Sequence, residues 1–136
     1  MRYIFDACAI IAFFNNEPGA DVVRNLLSDA NEGYCEVVMT RYNLLEAYYG
    51  FLRDFGAETA ESILTLVRVS SIKTTDMLND DLLRQAGRFK VAYHISLADA
   101  VVLAQAAIDD AIVVTSDHHE LDAVERDGKI KFLWIR

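Results

Sequence analysis

The strand-like runs in this chain are apolar along their length, with no polar alternation, and segments of helical periodicity separate them. Ile112-Val113-Val114-Thr115 is the clearest such run. Residues 2–5, with Tyr3-Ile4-Phe5, and residues 36–39, Glu36-Val37-Val38-Met39, are like it, and weaker strands are read over 70–74 and 131–135. A strand without a polar face is buried on both faces, which favours parallel pairing under two layers of helices. The pattern therefore predicts an α/β fold, a three-layer α/β/α arrangement around a central, mostly parallel sheet.

Helices are expected between these runs. Ala9–Phe14 reads as a short one, closed by the break Asn15-Asn16-Glu17-Pro18-Gly19. Val22, Val23, Leu26, Leu27 and Ala30 recur at helical spacing within 20–31. Thr40 is placed to cap a helix over 41–54, Gly56 precedes another near 57–68, and Leu78, Leu82, Ala86 and Phe89 support one over 77–92. Ser96 caps a helix over 97–109, and a short helix is expected over 120–125. With 136 residues, one proline and six glycines there is no linker, so the expectation is a single domain over 1–136.

The net charge of −8 excludes a general nucleic-acid coat protein, whose affinity comes from clustered Lys and Arg. It does not exclude an enzyme acting on nucleic acid, because a bound metal offsets acids locally. The densest basic stretch, Arg84, Arg88 and Lys90, reads as a solvated helix face. Cys8 and Cys35 lie in apolar surroundings and read as reduced thiols. Neither pairs with His94, His118 or His119 at zinc-site spacing. No apolar run is long enough to span a membrane, and a strand pattern occupies the start where a signal peptide would stand; a cytoplasmic protein is expected.

Four acids stand out. Asp6 closes the first strand and Asp117 follows the run at 112–115, so both fall at carboxyl ends of strands, where parallel sheets hold their ligand crevice. Glu46 lies in the second turn after Thr40, too deep to serve that cap. Asp99 sits in a helix that is apolar nearly all round, and a charge buried there needs a partner or a metal. Each has a local explanation as well: Asp6 and Asp117 as helix caps, Glu46 on a solvent face, Asp99 in a capping box with Ser96. Taken together, four carboxylates converging on one pocket repel one another, and a hard divalent cation with oxygen ligands relieves that repulsion.

In that order and spacing the chain resembles the PIN-domain nucleases, close to the VapC-type toxins of prokaryotic toxin–antitoxin modules. The resemblance runs through Tyr3-Ile4-Phe5-Asp6-Ala7-Cys8-Ala9, Asn43-Leu44-Leu45-Glu46, Ser96-Leu97-Ala98-Asp99-Ala100 and Val113-Val114-Thr115-Ser116-Asp117. It implies a Mg²⁺- or Mn²⁺-dependent endoribonuclease with catalytic acids Asp6, Glu46, Asp99 and Asp117. It implies Asp6, Asp99 and Asp117 as metal ligands, with Glu46 ligating through water or positioning the nucleophile. Thr115 and Ser116 would orient ligands or contact phosphate, and His118 or His119 would protonate a leaving group. Structural hydroxyls and exposed loop histidines are the plainer readings of those four. Ala7 stands where the family often has a hydroxyl, and His118-His119 stand where it often has a further acid, a role left to Glu120 or Asp122. The implied partners are an RNA substrate and an antitoxin protein.

Other α/β readings fit less well. A phosphoacceptor receiver domain needs adjacent acids after its first strand, and Ala7-Cys8 stand there. A haloacid-dehalogenase-like phosphatase needs an acid where Cys8 is. The alternative from another class is a catalytically silent module of the same fold that binds protein or RNA. Tyr42, Tyr48, Tyr49, Phe51, Leu52, Phe55, Ile63 and Leu66 exceed what one helix face buries, which predicts a homodimer with a partner groove over 41–68.

Overall fold

The computed structural model describes residues 1–76 and 78–136. Five strands form one sheet: β1 (Arg2–Phe5), β2 (Glu36–Thr40), β3 (Ile72–Thr75), β4 (Ile112–Thr115) and β5 (Lys131–Trp134). Their order is β3-β2-β1-β4-β5 and every pairing is parallel. The register sets Ile4 beside Val38 on one side and Val113 on the other. The chain moves outward from β1 through β2 to β3, then returns to build β4 and β5 on the opposite flank. The reversal between β1 and β4 is the kind of switch point where parallel sheets bind ligands.

Helices cover both faces, because successive side chains of the strands point to opposite sides and both sets are apolar. Phe5, Val37, Met39 and Val114 pack against α1 (Ala7–Phe14), α2 (Ala20–Asn31), α3 (Arg41–Phe55) and α4 (Ala57–Val69). Ile4, Val38 and Val113 pack against α5 (Asp80–Ala92), α6 (Leu97–Asp109) and α7 (His118–Arg126). The three layers expected from the sequence are present, and the sheet is parallel throughout.

Most element boundaries follow the capping chemistry. Thr40 accepts from the Asn43 N–H at 3.1 Å and Ser96 from the Asp99 N–H at 3.1 Å, so α3 and α6 begin where expected. The short helices α1 and α7 begin two residues earlier than the periodicity suggested, because Asp6 and Asp117 cap them. Helix α5 starts at Asp80, capped by Asn79, and not at 77; Met77 lies outside the described residues. Strand β3 is shifted two residues at its start, because the Ser70 hydroxyl donates to the Val67 carbonyl and accepts from the Ile72 N–H. Gly19 starts α2 at φ +98, and a Cβ there would lie 2.6 Å from the Ile135 carbonyl oxygen. Only glycine lets the buried C-terminal segment approach that closely. Among the described residues no helix is long and apolar enough to cross a membrane.

Candidate active site

The candidate site lies where β1 and β4 end. The Asp6 N–H donates to the Val114 carbonyl at 3.3 Å, extending the β1–β4 pairing one residue past Phe5. That fixes the Asp6 side chain beside Thr115. One Asp6 oxygen accepts from the Ala9 N–H at 3.0 Å and caps α1; the other accepts from the Thr115 hydroxyl. Thr115 is completely buried, and its hydroxyl also accepts from the Asp117 N–H at 3.0 Å. One hydroxyl therefore sets the spacing of two acids from different strands.

Asp117 caps α7 through a bond from the Glu120 N–H at 3.2 Å. This helix start brings Glu120 inward, toward α6. In a capping box the Asp99 carboxylate would reach back to the Ser96 N–H. That N–H instead donates to Glu120 Oε2 at 3.3 Å. Glu120 thus takes the reciprocal cap position from another helix, and the Asp99 carboxylate lies against those of Asp117 and Glu120. Ligand oxygens of Asp99, Asp117 and Glu120 lie within 4.8 Å of one another. Glu46, half-buried on α3, feels the charges of Glu120 and Asp117.

These carboxylates depart from their ordinary titration range. Burial pushes Asp6 up to about 7; its bonds from Thr115 and Ala9 oppose this, and Glu46 and Asp117 add to it. Burial pushes Asp99 up to about 9, helped by its hydrogen bond to Glu120 and by the charges of Asp6, Glu120 and Glu46. Glu120 is held below its ordinary value, chiefly by that same bond from Asp99. The pair therefore holds one proton between two carboxyls. Glu46 is raised by burial and then by Glu120 and Asp117. Among the described residues no Lys, Arg or His forms an ion pair with any of these five acids.

The four acids read from the sequence thus converge, with Glu120 as a fifth. The close oxygen triad is Asp99, Asp117 and Glu120, whereas both oxygens of Asp6 are engaged by the protein. The donor set is all carboxylate oxygen and, although Glu120 feels the charges of His119 and Lys90, no base pairs with it among the described residues, which fits a hard divalent cation. Asp122 does not join it: its carboxylate is hydrogen-bonded with His118 Nδ1, and the Arg136 carbonyl with His118 Nε2, both at 2.8 Å. With both nitrogens committed, the His118 ring has no free edge for a leaving group. The bond to Asp122, then that to Arg136, raises its pKa. His119 is exposed. Ser116 is half-buried near Cys8, whose thiol is pushed up to about 12 by burial and then by Asp6 and Asp117.

Asn43 has a positioning role that the sequence reading missed. It is fully buried, its side-chain oxygen accepts from Thr40, and its amide reaches the Ala98 carbonyl at 3.5 Å. It ties the start of α3, which carries Glu46, to the first turn of α6, which carries Asp99. The available signal was its spacing, three residues after a capping Thr and three before Glu46.

The family model for the PIN domain matches residues 3–127. No curated protein matches the chain in sequence. Among solved structures, the fold resembles a chain of VapBC2 from Rickettsia felis, bound to a promoter DNA fragment, with TM-score 0.75 and 18% identity over 98% of each chain. VapBC-1 from nontypeable Haemophilus influenzae gives TM-score 0.71 and 18% identity, covering 99% of this chain and 98% of that one. VapC20 from Mycobacterium tuberculosis, described as a sarcin-ricin loop cleaving toxin, gives 0.69 and 14%, covering 90% and 95%. At these identities the likeness is one of fold.

Proposed function

The chain belongs to the PIN-domain family, and on that footing we propose that it is a Mg²⁺- or Mn²⁺-dependent endoribonuclease, the toxin of a toxin–antitoxin pair. The observation that carries this reading is the set of five carboxylates at the β1–β4 switch point, none of them paired with a base among the described residues. Asp99, Asp117 and Glu120 would hold the cation. When bound, such a cation supplies an activated water and offsets charge on the phosphate. Asp6, fixed by Thr115 and Ala9, holds the Asp117 edge in register and adds negative charge behind the triad. Glu46 faces the triad from α3 and is assigned to orienting the attacking water and taking its proton. Holding such a cation would require Asp99 and Glu120 to give up the proton they share.

A second reading, a catalytically silent binding module, draws on a real feature: Asp6 and Asp117 do cap helices. It gives no reason for Glu46 to face Glu120 and Asp117, nor for Asp99 to turn away from its own capping box. The test is cleavage of RNA by purified protein with Mg²⁺ or Mn²⁺, and its loss in EDTA. Activity indifferent to chelation would sink the metal mechanism.

The partners proposed are an RNA substrate, an antitoxin and a second copy of the chain. Leu45, Tyr49, Leu52 and Phe55 form an exposed stripe on α3, with Leu45 59% and Phe55 60% accessible, while Phe51 and Ile63 turn into the core. A groove of about 180 Å³ lined by Arg41, Leu44, Leu45, Tyr48 and Leu64 lies beside it. An apolar stripe on a protein of net charge −8 suits an interface better than solvent. Light scattering at micromolar concentration should give a dimer, and Leu52→Glu should shift it toward monomer; a strict monomer in the wild type contradicts this assignment.

A further inference from the structure

One cluster beside the acids is not used by the hydrolytic reading. The rings of Phe132, Trp134 and His118 form a ladder. Phe132 and Trp134 stack at 5.2 Å and 15° between planes, and Trp134 and His118 at 3.9 Å and 16°. Phe132 and Trp134 are two residues apart on β5, so they share one face of the sheet and the ladder climbs toward its carboxyl edge. It ends on His118, the residue after Asp117.

The last ring is held as a rigid plate. Asp122 and the Arg136 carbonyl occupy its two nitrogens, and Trp134 covers one face. His118 is nevertheless 48% exposed, and no other ring among the described residues stacks on it. What remains open is the second face, at the edge of the sheet where the acids lie. An aromatic plate whose hydrogen-bonding edge is already used offers an unpaired base a π-surface without reading its identity.

We propose that the open face of His118 is a stacking subsite for one unpaired nucleobase of the RNA, next to the phosphate that is cut. This rests on the ribonuclease reading and adds a residue to it. The Phe132–Trp134 pair serves as backing that keeps the plate from tilting. His118 positions substrate and takes no part in proton transfer. The subsite favours single-stranded or looped RNA over a duplex, because a paired base cannot leave its stack without cost.

The chain's sole tryptophan lies directly behind the plate, so its fluorescence reports on it. Short single-stranded oligoribonucleotides, each with one abasic ribose at a successive position, are titrated in Mg²⁺ against the Asp6→Asn protein, so that they stay intact. Trp134 emission and the anisotropy of an end label are read together. One abasic position should weaken binding about ten-fold, within the range of base–aromatic stacking. His118→Ala should weaken the intact oligonucleotide similarly and be indifferent to that abasic site, and His118→Phe should recover most of the affinity. The proposal is overturned if every abasic oligonucleotide binds alike, if His118→Ala remains sensitive to the same abasic site, or if His118→Phe and His118→Ala lose affinity equally, which would assign the residue to holding the chain end. Cleavage by protein with Asp6 intact separates the two levels. No cleavage at all removes the nuclease reading, whereas cleavage with an unchanged KM in His118→Ala removes the stacking subsite alone.

Discussion

The two ends of the β-sheet treat acids in opposite ways. At the amino edge Glu36 receives Arg2 at 2.7 Å and Lys73 at 3.1 Å, and Asp109 lies 3.5 Å from Arg2. Hydrogen bonds from these bases hold Glu36 below its ordinary pKa. At the carboxyl edge Asp6, Asp99, Asp117, Glu120 and Glu46 meet without an ion-paired base among the described residues, only His119 and Lys90 acting on Glu120 from farther off, and burial pushes Asp6 up to about 7 and Asp99 up to about 9. One fold and one residue type thus give two electrostatic outcomes. The amino edge is completed by the chain's own cations. On the proposed reading the carboxyl edge is left for a cation from outside, and a site that gains energy only when such a cation arrives is suited to chemistry rather than to stability.

Breaking the carboxyl edge should have the largest effect. Asp99→Asn and Asp6→Asn are expected to lower RNA cleavage by more than the about 10- to 100-fold that loss of an outer-shell partner costs a metal site. Circular dichroism should show both variants folded. Unfolding of both would mean that capping was the acids' main role.

The second effect concerns inhibition. An antitoxin would bring to the carboxyl edge what Arg2 and Lys73 bring to the amino edge, an Arg or Lys aimed at Asp99, Asp117 and Glu120. Such a charge-assisted contact in a partly desolvated pocket competes with the metal. In the complex co-purified with the neighbouring gene's product, neutralising that product's basic residues should restore cleavage at least about ten-fold, a loss of roughly 1.4 kcal/mol. Equal suppression with every such residue neutralised would leave occlusion alone as the mechanism.

A third contrast is in sign. Asp6 and Asp99 titrate higher in the folded protein than in the unfolded chain. Their favourable contribution is therefore complete below about pH 4, where unfolded carboxylates titrate, and is lost as pH rises through about 7 and about 9. Metal-free protein should melt higher at pH 5.5 than at pH 8.5, by on the order of 5 °C for a chain of this size. Mg²⁺ should remove most of that difference, and Asp99→Asn should reduce it. Glu36 runs the other way: its contribution is present above the unfolded carboxylate pKa and fades as pH falls through its lowered value. A melting temperature in EDTA that rises steadily from pH 5.5 to 8.5 would reverse the assignment of the two edges.

The smallest effect is expected at the amino edge. Glu36→Gln removes the charge partner of Arg2 and Lys73 in two partly exposed ion pairs and should leave cleavage and metal response unchanged. A loss of activity there would show that the two edges are coupled through β1 and β2.

Where side-chain chemistry was local, the sequence was a good guide. Helix α6 was legible to the residue, because Ser96 caps it and its apolar surface runs nearly all round. The placement of Asp6 and Asp117 at strand ends was legible from the runs before them. The capping reading of Asp6 accounts for only one of its carboxylate oxygens, which caps α1, while the other meets Thr115. What stayed hidden depends on elements distant in sequence. The bond from Ser96 to Glu120 spans 24 residues, so nothing local showed that Glu120 would displace Asp99 from its capping box. The strand order, and the link from Asn43 to Ala98 across 55 residues, likewise follow from packing that no single window contains.

The most direct test of the contrast is calorimetric titration of metal-free protein with Mn²⁺ at pH 7.5, in two buffers of different ionisation enthalpy. The account predicts saturable binding with proton release, because the proton shared by Asp99 and Glu120 must leave, with binding lost in Asp99→Asn and retained in Glu36→Gln. Absence of saturable binding in the wild type, or equal binding by Asp99→Asn and Glu36→Gln, would contradict it.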